Sequence, residues 1–518
     1  MKHVVVIGLD GMSWDILEKL FSKGVMGNVD IFRKKGVYGE LNSWVPPFTV
    51  PRWTSIATGV NPGKHGAYAF LMPTENYGTR LTRSRDVRYP RVYEICTMQN
   101  LNSVVINLPL SYPPVILKGI MISDWIYPRF EVFPETARNL VKDYAPYDPL
   151  WSKRDPTDYV KAMLKGLERR IGVIKKLISK TKWSLFFVVF SEPDFLLHKL
   201  YSDILSGEGL AEEAYKVFDL IDNFIGWVVK NVPRDSLILL LSDHGFARYK
   251  YVIHVNKVLR DASLIKFKIA QREAHSSERI NKQGDRIFVP KFLYRVMVKV
   301  ESVRKIASLL FHTLFGNKIF PSYERVLDPY SSRARMHTET HFGIYINSKD
   351  VFPRWLISED KIEKTQDFIM NLLSNIRNPD TNESVFECIY VRKKIFHGPY
   401  VKKLPHVIFF PKKEYWIDCK LREKTIEKKC SINHSMTGIF AAIGKDVKRG
   451  IKLGQLSIFD ITPSILHALN LPIPHDTDGR VLFEMFDENS QIKQRQVRKA
   501  NYLKRWNVIY KTKRSQSV

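Results

Sequence analysis

The stretch 1-MKHVVVIGLDGMSWDILEKLF-21 decides the fold reading. Val4 to Ile7 form an apolar, β-branched run, Gly8 to Gly11 break it, and Trp14 to Phe21 continue with helical amphipathicity. A strand apolar on both sides of its pleat is buried on both faces, as strands of parallel sheets are. The stretch therefore reads as strand, turn and helix, with Asp10 at the strand's C-terminal end, where open α/β sheets place their chemistry. Taken alone, Asp10 reads equally well as a cap for the following helix. The apolar run is too short for a signal peptide and Asp10 interrupts it, so a cytoplasmic protein is expected.

Working outward, Asn102–Leu108, Lys118–Asp124, Ser184–Phe190 and Ser236–Leu241 repeat the buried-strand pattern. Trp151–Ser179 and Ala211–Val229 read as amphipathic helices between them. Two of these strands run into polar residues with metal-binding potential. FSEPDFLLHKLY places Asp194 and His198 at i and i+4, one face of a helix, and LLSDHGF places Asp243 beside His244. His434, in NHSMTG, precedes another apolar strand, IFAAIG. Each has an ordinary alternative: an exposed helical ion pair, a capped turn, a lone histidine. After His254 the alternation becomes irregular. His341–Asn347, Ser384–Arg392 and Pro405–Pro411 read as strands and Lys361–Asn375 as a helix, which suggests an inserted α+β subdomain.

In WVPPFTVPRWTSIATGVNPGKHGAYAF, residues 44–70, Thr49 stands between prolines at a helix start. Free N–H groups and the helix dipole favour negative charge there, which suits attack by a hydroxyl on an anionic phosphorus centre. A helix cap is the plainer reading. Jointly, Asp10, Thr49, Asp194, His198, Asp243, His244 and His434 make a mixed oxygen and nitrogen donor set large enough for two divalent ions, zinc or else manganese. Such a pair activates a nucleophile and holds the leaving oxygen of a phosphoryl group.

The chain has 518 residues and a formal net charge of +28, which favours anionic partners or simply a basic solvated surface. The excess is spread along the chain, which favours the solvated-surface reading, except in two places. In 291–320, basic residues interleave with apolar ones at helical spacing, as in a cap helix or a helix lying on an anionic membrane. The segment from Ile492 onward has no acidic residue and suits an electrostatic foot on membrane or nucleic acid, or a disordered solubilising tail. The four cysteines show no CxxC pair, which argues against a disulfide framework or a thiolate metal site. No run is long and apolar enough to span a membrane.

The ordered motifs IGLDGMSWD, PPFTVPRWTSIATGVNPGKHG, INLPLSYPP, FSEPDFLLHKLY, LLSDHGF, HFGIYIN, NHSMTGIFAAIG and DITPSILHALNLPIPHDTDGRVL resemble the alkaline phosphatase superfamily. Within it they look most like the type I phosphodiesterase/nucleotide pyrophosphatase family, in the form of its prokaryotic cytoplasmic members. The resemblance implies an α/β fold: a central, mostly parallel sheet flanked by helices, with residues 1–260 and 420–485 as catalytic core. It leaves 261–419 as an inserted α+β cap and 486–518 as a basic tail. It also implies that Asp194, His198 and His434 hold one ion. Asp10, Asp243 and His244 hold the other beside Thr49, which attacks phosphorus and becomes a phosphothreonine.

The chain departs from that pattern at Phe70, where the family has an asparagine for a phosphoryl oxygen; Arg52 and Lys64 are the nearby candidates for substrate contact. A hydrolase of phosphodiester or pyrophosphate bonds is the first expectation. A phosphomonoesterase or phosphomutase of the same superfamily is the second, and a non-catalytic basic membrane- or nucleic-acid-binding protein the third. A sulfatase is disfavoured because that chemistry needs Cys or Ser at position 49. The expected substrate is a phosphorylated small molecule or a lipid-linked phosphate. Peripheral contact with anionic membrane through the tail or 291–320 is a further expectation, and specific nucleic-acid binding is not expected.

Overall fold

A computed structural model of the protein describes residues 3–126, 130–147, 154–271 and 323–514. The segment 291–320 and the last four residues of the basic tail lie outside the described residues.

Among the described residues nine strands form the central sheet: β1 (Val4–Leu9), β2 (Val37–Asn42), β3 (Ser103–Ile106), β4 (Gly119–Ile122), β5 (Val132–Phe133), β6 (Leu185–Phe190), β7 (Leu237–Leu241), β8 (Gly438–Ile443) and β9 (Ile451–Ser457). Their order across the sheet is β9-β2-β8-β7-β1-β6-β3-β4-β5. β1 pairs in parallel with β6 and β7, β3 with β6 and β4, and β2 with β9. β8 and β5 run antiparallel to their neighbours. The sheet is thus mostly parallel, as the buried runs in the sequence require.

Side chains alternate along β1 and feed two cores. Val4 and Val6 join Trp53, Ile56 and Ile465 on one side; Val5 and Ile7 join Leu17, Leu167, Leu197 and Phe218 on the other. Each such side chain contributes about 1.5–3 kcal/mol against the entropy of ordering the chain. The helix Pro156–Lys180 begins later than its apolar pattern suggests. Asp155 accepts the Thr157 N–H at 2.9 Å and Pro156 occupies the first turn, a cap that fixes the start.

Register positions the chemistry. Gly8 lies level with Val189 of β6 and Leu241 of β7, so all three strands end together. The residues that follow, Asp10, Asp194 and Asp243–His244, therefore emerge at one edge of the sheet. A second, three-stranded sheet lies there: Gly245–His254 between Tyr415–Asp418, parallel, and Ile426–Ser435, antiparallel. His434 thus sits within a strand of its own, paired with Phe246, as well as ahead of β8. An antiparallel cap sheet (Ala334–Arg335, Gly343–Ile346, Val407–Pro411, Phe386–Val391) carries the helix Glu359–Ser374.

The described part of the basic C-terminal segment is docked on the core. Lys499–Ala500 pairs with Ile473–Pro474, and the helix Tyr502–Arg514 buries Tyr502 and Trp506. Trp506 Nε1 donates to Glu94 Oε1 at 3.1 Å. Among the described residues no helix is long and apolar enough to cross a membrane.

Beneath the cap sheet, buried His406 accepts the Ile346 N–H on Nδ1 at 3.1 Å and meets Ser348 Oγ through Nε2 at 2.9 Å. Protonation of Nδ1 would break the first bond. Burial, aided by the Arg392 charge and opposed by Asp350, pulls the imidazole from its ordinary 6.5 down to about 4. The folded state then binds fewer protons than the unfolded one. The stability is complete above about pH 6.5 and lost as pH falls through about 4, an effect of about 3 kcal/mol for this group. Buried His65 and His341, lowered to about 3 and about 4, act in the same direction. Thermal melts between pH 6.5 and 4 are expected to show this loss, with a shallower slope in His406→Gln; equal slopes in the two proteins would refute the assignment.

Candidate active site

Thr49 is the first residue of the helix Thr49–Thr58, preceded by Pro46-Pro47-Phe48. Pro51 falls in the first turn, where a missing N–H costs no helical hydrogen bond. Gly59, at φ 71°, closes the helix in the left-handed conformation that glycine adopts without strain. The helix is buried, and Thr49 itself is only 2% exposed. Its Oγ1 lies 3.5 Å from His244 Nε2.

Around this hydroxyl the structure brings together every metal-ligand candidate read from the sequence. His244 Nε2 is 3.6 Å from Asp10 Oδ1 and 3.3 Å from Asp243 Oδ2. His434 Nε2 is 3.2 Å from Asp194 Oδ1 and 2.9 Å from His198 Nε2, while His198 Nε2 is 3.5 Å from Asp194 Oδ1. The donor atoms of Asp10, Asp243 and His244 fall within 4.8 Å of one another, as do those of Asp194, His244 and His434. The turn that admits Asp194 requires Gly11, at φ 78°, because a side chain there would strike Phe246 and crowd the Asp194 backbone.

Second partners orient the rings. His434 Nδ1–H donates to the Pro47 carbonyl at 2.8 Å and His244 Nδ1–H to the Gly245 carbonyl at 3.2 Å, so both present a bare Nε2 to the centre. That is the tautomer a metal-binding imidazole needs. Asp10, Asp243 and His244 are fully buried, yet both oxygens of Asp10, Asp194 Oδ1 and Asp243 Oδ2 make no hydrogen bond. Buried carboxylates without partners are costly, and divalent cations are what such oxygens accept.

The electrostatics agree. Burial, then the carboxylates of Asp243 and Asp194, push Asp10 well above the carboxylate range. Burial raises Asp243 to about 6. Burial and the neighbouring His434 hold His244 well below its ordinary value, and burial brings His198 down to about 4. The donor set fits divalent cations held by hard oxygens and imidazoles.

The two candidates for substrate contact go elsewhere. Arg52 is fully buried, and its guanidinium donates to the carbonyls of Ser43, Val45, Pro46, Asp243 and Met436. It clamps the loop before Thr49 to the two segments that carry His244 and His434. Lys64 pairs with Asp478, beyond the far end of the Thr49 helix. That helix has 10 residues, so roughly 15 Å of helical rise separates its ends. Phe70 joins Val50, Ala67, Val87 and Leu110 in an apolar cluster, and its ring lies 6.3 Å from Trp125, itself 4.9 Å from Phe195. An aromatic wall thus stands where an amide was looked for.

Other contributors were silent in the sequence. Ser242 accepts the Met12 N–H at 3.0 Å and donates to the His244 carbonyl at 2.5 Å, tying β1's turn to β7's. A cleft of about 900 Å³ is walled partly by Pro47, Phe246 and Ser435, chain neighbours of the site, and by Trp44, Phe410 and Lys412.

A family model described as type I phosphodiesterase / nucleotide pyrophosphatase matches residues 4–307, more than half of the chain. Curated 2,3-bisphosphoglycerate-independent phosphoglycerate mutases of Saccharolobus islandicus are 34% identical over 96 residues, which is 16% of this chain and 23% of theirs. The chain thus spans about a quarter of the length of the curated relatives it matches. The solved structure of murine ectonucleotide pyrophosphatase/phosphodiesterase 5 superposes with a TM-score of 0.50 at 15% identity, covering 92% of this chain and 97% of that one. The human protein of the same name gives 0.51 at 14% identity, covering 92% and 97%. An inactive variant of the murine protein, in complex with AMP, gives 0.50 at 14% identity, covering 92% and 98%. At such identities the likeness speaks to the fold, an α/β architecture around a large, mostly parallel sheet.

Arg52→Met removes the donors of five buried carbonyl contacts while keeping most of the side-chain volume. A loss of about 3 kcal/mol or more in unfolding free energy is expected, measured by urea denaturation. Retained stability with weakened substrate binding would reverse the assignment.

Proposed function

The chain belongs to the type I phosphodiesterase / nucleotide pyrophosphatase family, and from that premise we propose that it hydrolyses phosphodiester or pyrophosphate bonds, with Thr49 as nucleophile and two divalent cations as cofactors. The observation that carries this reading is the set of fully buried carboxylate oxygens without hydrogen bonds, led by both oxygens of Asp10, gathered around the Thr49 hydroxyl. Asp10, Asp243 and His244 would hold one cation beside Thr49; Asp194, His198 and His434 would hold the other. Imidazoles mixed with hard carboxylates suit zinc, with manganese the alternative. Bound there, divalent cations supply Lewis acidity that favours the alkoxide of a threonine and neutralises phosphoryl oxygens.

The chain's own residues do the rest. The Thr49 oxygen forms a bond to phosphorus while the bond from phosphorus to the leaving oxygen breaks, leaving a phosphothreonine. Water then attacks that phosphorus and returns the hydroxyl. Free N–H groups in the first turn of the Thr49 helix face the phosphoryl group, with the dipole in the favourable sense. Phe70 offers no amide, so these N–H groups carry more of the load. Arg52 acts at a distance from the substrate by holding the loop before Thr49 in place. The cleft beside the site would take the organic part of the ester against Trp44 and Phe410, with Lys412 for a second negative charge.

A second reading, phosphomutase or phosphomonoesterase, is favoured by the 96-residue similarity to phosphoglycerate mutases. Product analysis separates the two, because a mutase returns an isomeric monoester and a diesterase two fragments.

Thr49→Ala is expected to lower turnover of bis-p-nitrophenyl phosphate by about a thousandfold or more while metal content stays at the wild-type level. Undiminished turnover would remove Thr49 from the chemistry. Metal analysis of Asp10→Asn and of His434→Ala should each show one ion weakened. Full occupancy of both ions in either variant would take that residue out of the site.

A further inference from the structure

Trp53 stands one helical turn after Thr49 in the helix Thr49–Thr58, so the two side chains share a face of that helix. Its ring is fully buried and fits where β1 offers no side chain. A Cβ built on Gly8 would come within 2.4 Å of Trp53 Cη2 and 3.1 Å of Cζ2. Phe187 of β6 meets the ring edge-on, with centroids 6.3 Å apart. Cζ2 borders the ring carbon that carries the indole nitrogen. The edge bearing Nε1–H is therefore the one turned to β1, two residues before Asp10.

An indole nitrogen is a donor only, and buried ones ordinarily find an acceptor. Trp53 Nε1 makes no hydrogen bond, and neither does either oxygen of Asp10. A buried donor without an acceptor thus faces buried acceptors without a donor. The two groups feel each other. Burial, then the carboxylates of Asp243 and Asp194, oppose the ionisation of Asp10, while Trp53 favours it. Packing accounts for the ring against Gly8. It does not account for a bare polar edge turned to a carboxylate.

We propose that Trp53 is a positioning residue for the cation site beside Thr49: its indole N–H holds one oxygen of Asp10 and leaves the other to the cation. Asp10 acts here as a cation ligand, on the reading proposed for the site, and Trp53 supports that role without touching substrate. Metal-binding side chains are commonly held from behind by a hydrogen bond that fixes their orientation. The Pro47 and Gly245 carbonyls do this for His434 and His244. Trp53 does it for Asp10, with the donor and acceptor roles exchanged. The same contact ties the nucleophile's helix to the strand end that carries the ligand, so a single turn of helix sets where Thr49 stands beside the cation. Gly8 belongs to the device, because a side chain there would displace the ring.

The test is zinc titration of the full chain by calorimetry. Two binding steps are expected in the wild type, and Asp10→Asn identifies the step beside Thr49 by weakening it. Trp53→Phe keeps an aromatic ring and removes the N–H. It is expected to weaken that step about tenfold to a hundredfold and to leave the other within about threefold, whereas a merely structural loss lowers both alike. A second readout keeps the tryptophan in place. Of the 10 indole N–H signals of the nitrogen-15-labelled protein, the one missing from Trp53→Phe is expected to move downfield when zinc binds, and to stay where it is in Asp10→Ala. Should Trp53→Phe fail to fold, the comparison of wild type with Asp10→Ala decides by itself: one zinc-shifted indole signal fewer in Asp10→Ala is expected. Equal affinities of wild type and Trp53→Phe at the step beside Thr49, or the same indole shifts in Asp10→Ala as in the wild type, would overturn this proposal alone. A wild type that binds no zinc would overturn it together with the reading of the site.

Discussion

Three aspartates, Asp10, Asp194 and Asp243, are buried side by side at one edge of a parallel sheet. In a low-dielectric interior each carboxylate costs several kcal/mol unless something compensates it. Hydrogen bonds do not, since four of the six oxygens have none. The one buried arginine beside them, Arg52, favours the charged form of Asp243 only in part and spends its N–H groups on main-chain carbonyls. The register of β1, β6 and β7 forces the aspartates together, and the imidazoles of His198, His244 and His434 are the groups placed among them. Sheet register thus gathers negative charge that, on the proposed reading, cations at the edge would relieve.

The rest of the architecture keeps that edge rigid. The Tyr249 hydroxyl donates to the His434 carbonyl at 2.6 Å, and Pro47, next but one to Thr49, holds the His434 ring. Phe48 lies 5.5 Å from Phe342 of the cap and 6.1 Å from Trp416 of the second sheet, ring to ring. The loop before Thr49 therefore touches both the cap and the second sheet. On the proposed reading, these contacts would supply the positional precision that in-line attack by Thr49 needs.

What the sequence made legible follows from which forces are local. Buried strands announce themselves by unbroken apolar runs, so the ends of β1, β6 and β7, and the acids after them, could be placed from composition alone. His434 could not, because its strand, Ile426–Ser435, is half exposed and mostly polar and carries no such signal. It was reachable only through the apolar strand IFAAIG that follows it and through the donor set it completes. Arg52 misleads for a related reason: a cation three residues from Thr49 suggests substrate contact, and nothing in a sequence reveals that five carbonyls surround it. The C-terminal segment looks like a solvated tail because it lacks acids, yet two of its aromatics, Tyr502 and Trp506, are anchors whose pocket is built by residues far upstream.

The wall at Phe70 bears on which esters suit this centre. An amide at that position would bond one phosphoryl oxygen and compete with water for it. The cluster of Phe70 with Val50 and Leu110 instead leaves an apolar, water-poor surface beside the Thr49 helix start. Fewer donors lower the ground-state affinity for a phosphate group. A drier site strengthens each charge interaction that remains, and those interactions grow as charge develops on phosphorus. On the proposed reading, this centre leaves phosphate recognition to the first-turn N–H groups and relies on the buried ionic cluster for chemistry and on the neighbouring cleft for affinity. Selectivity then rests with the groups attached to phosphorus, because the phosphoryl oxygens have lost the side chain that would have told one phosphate geometry from another.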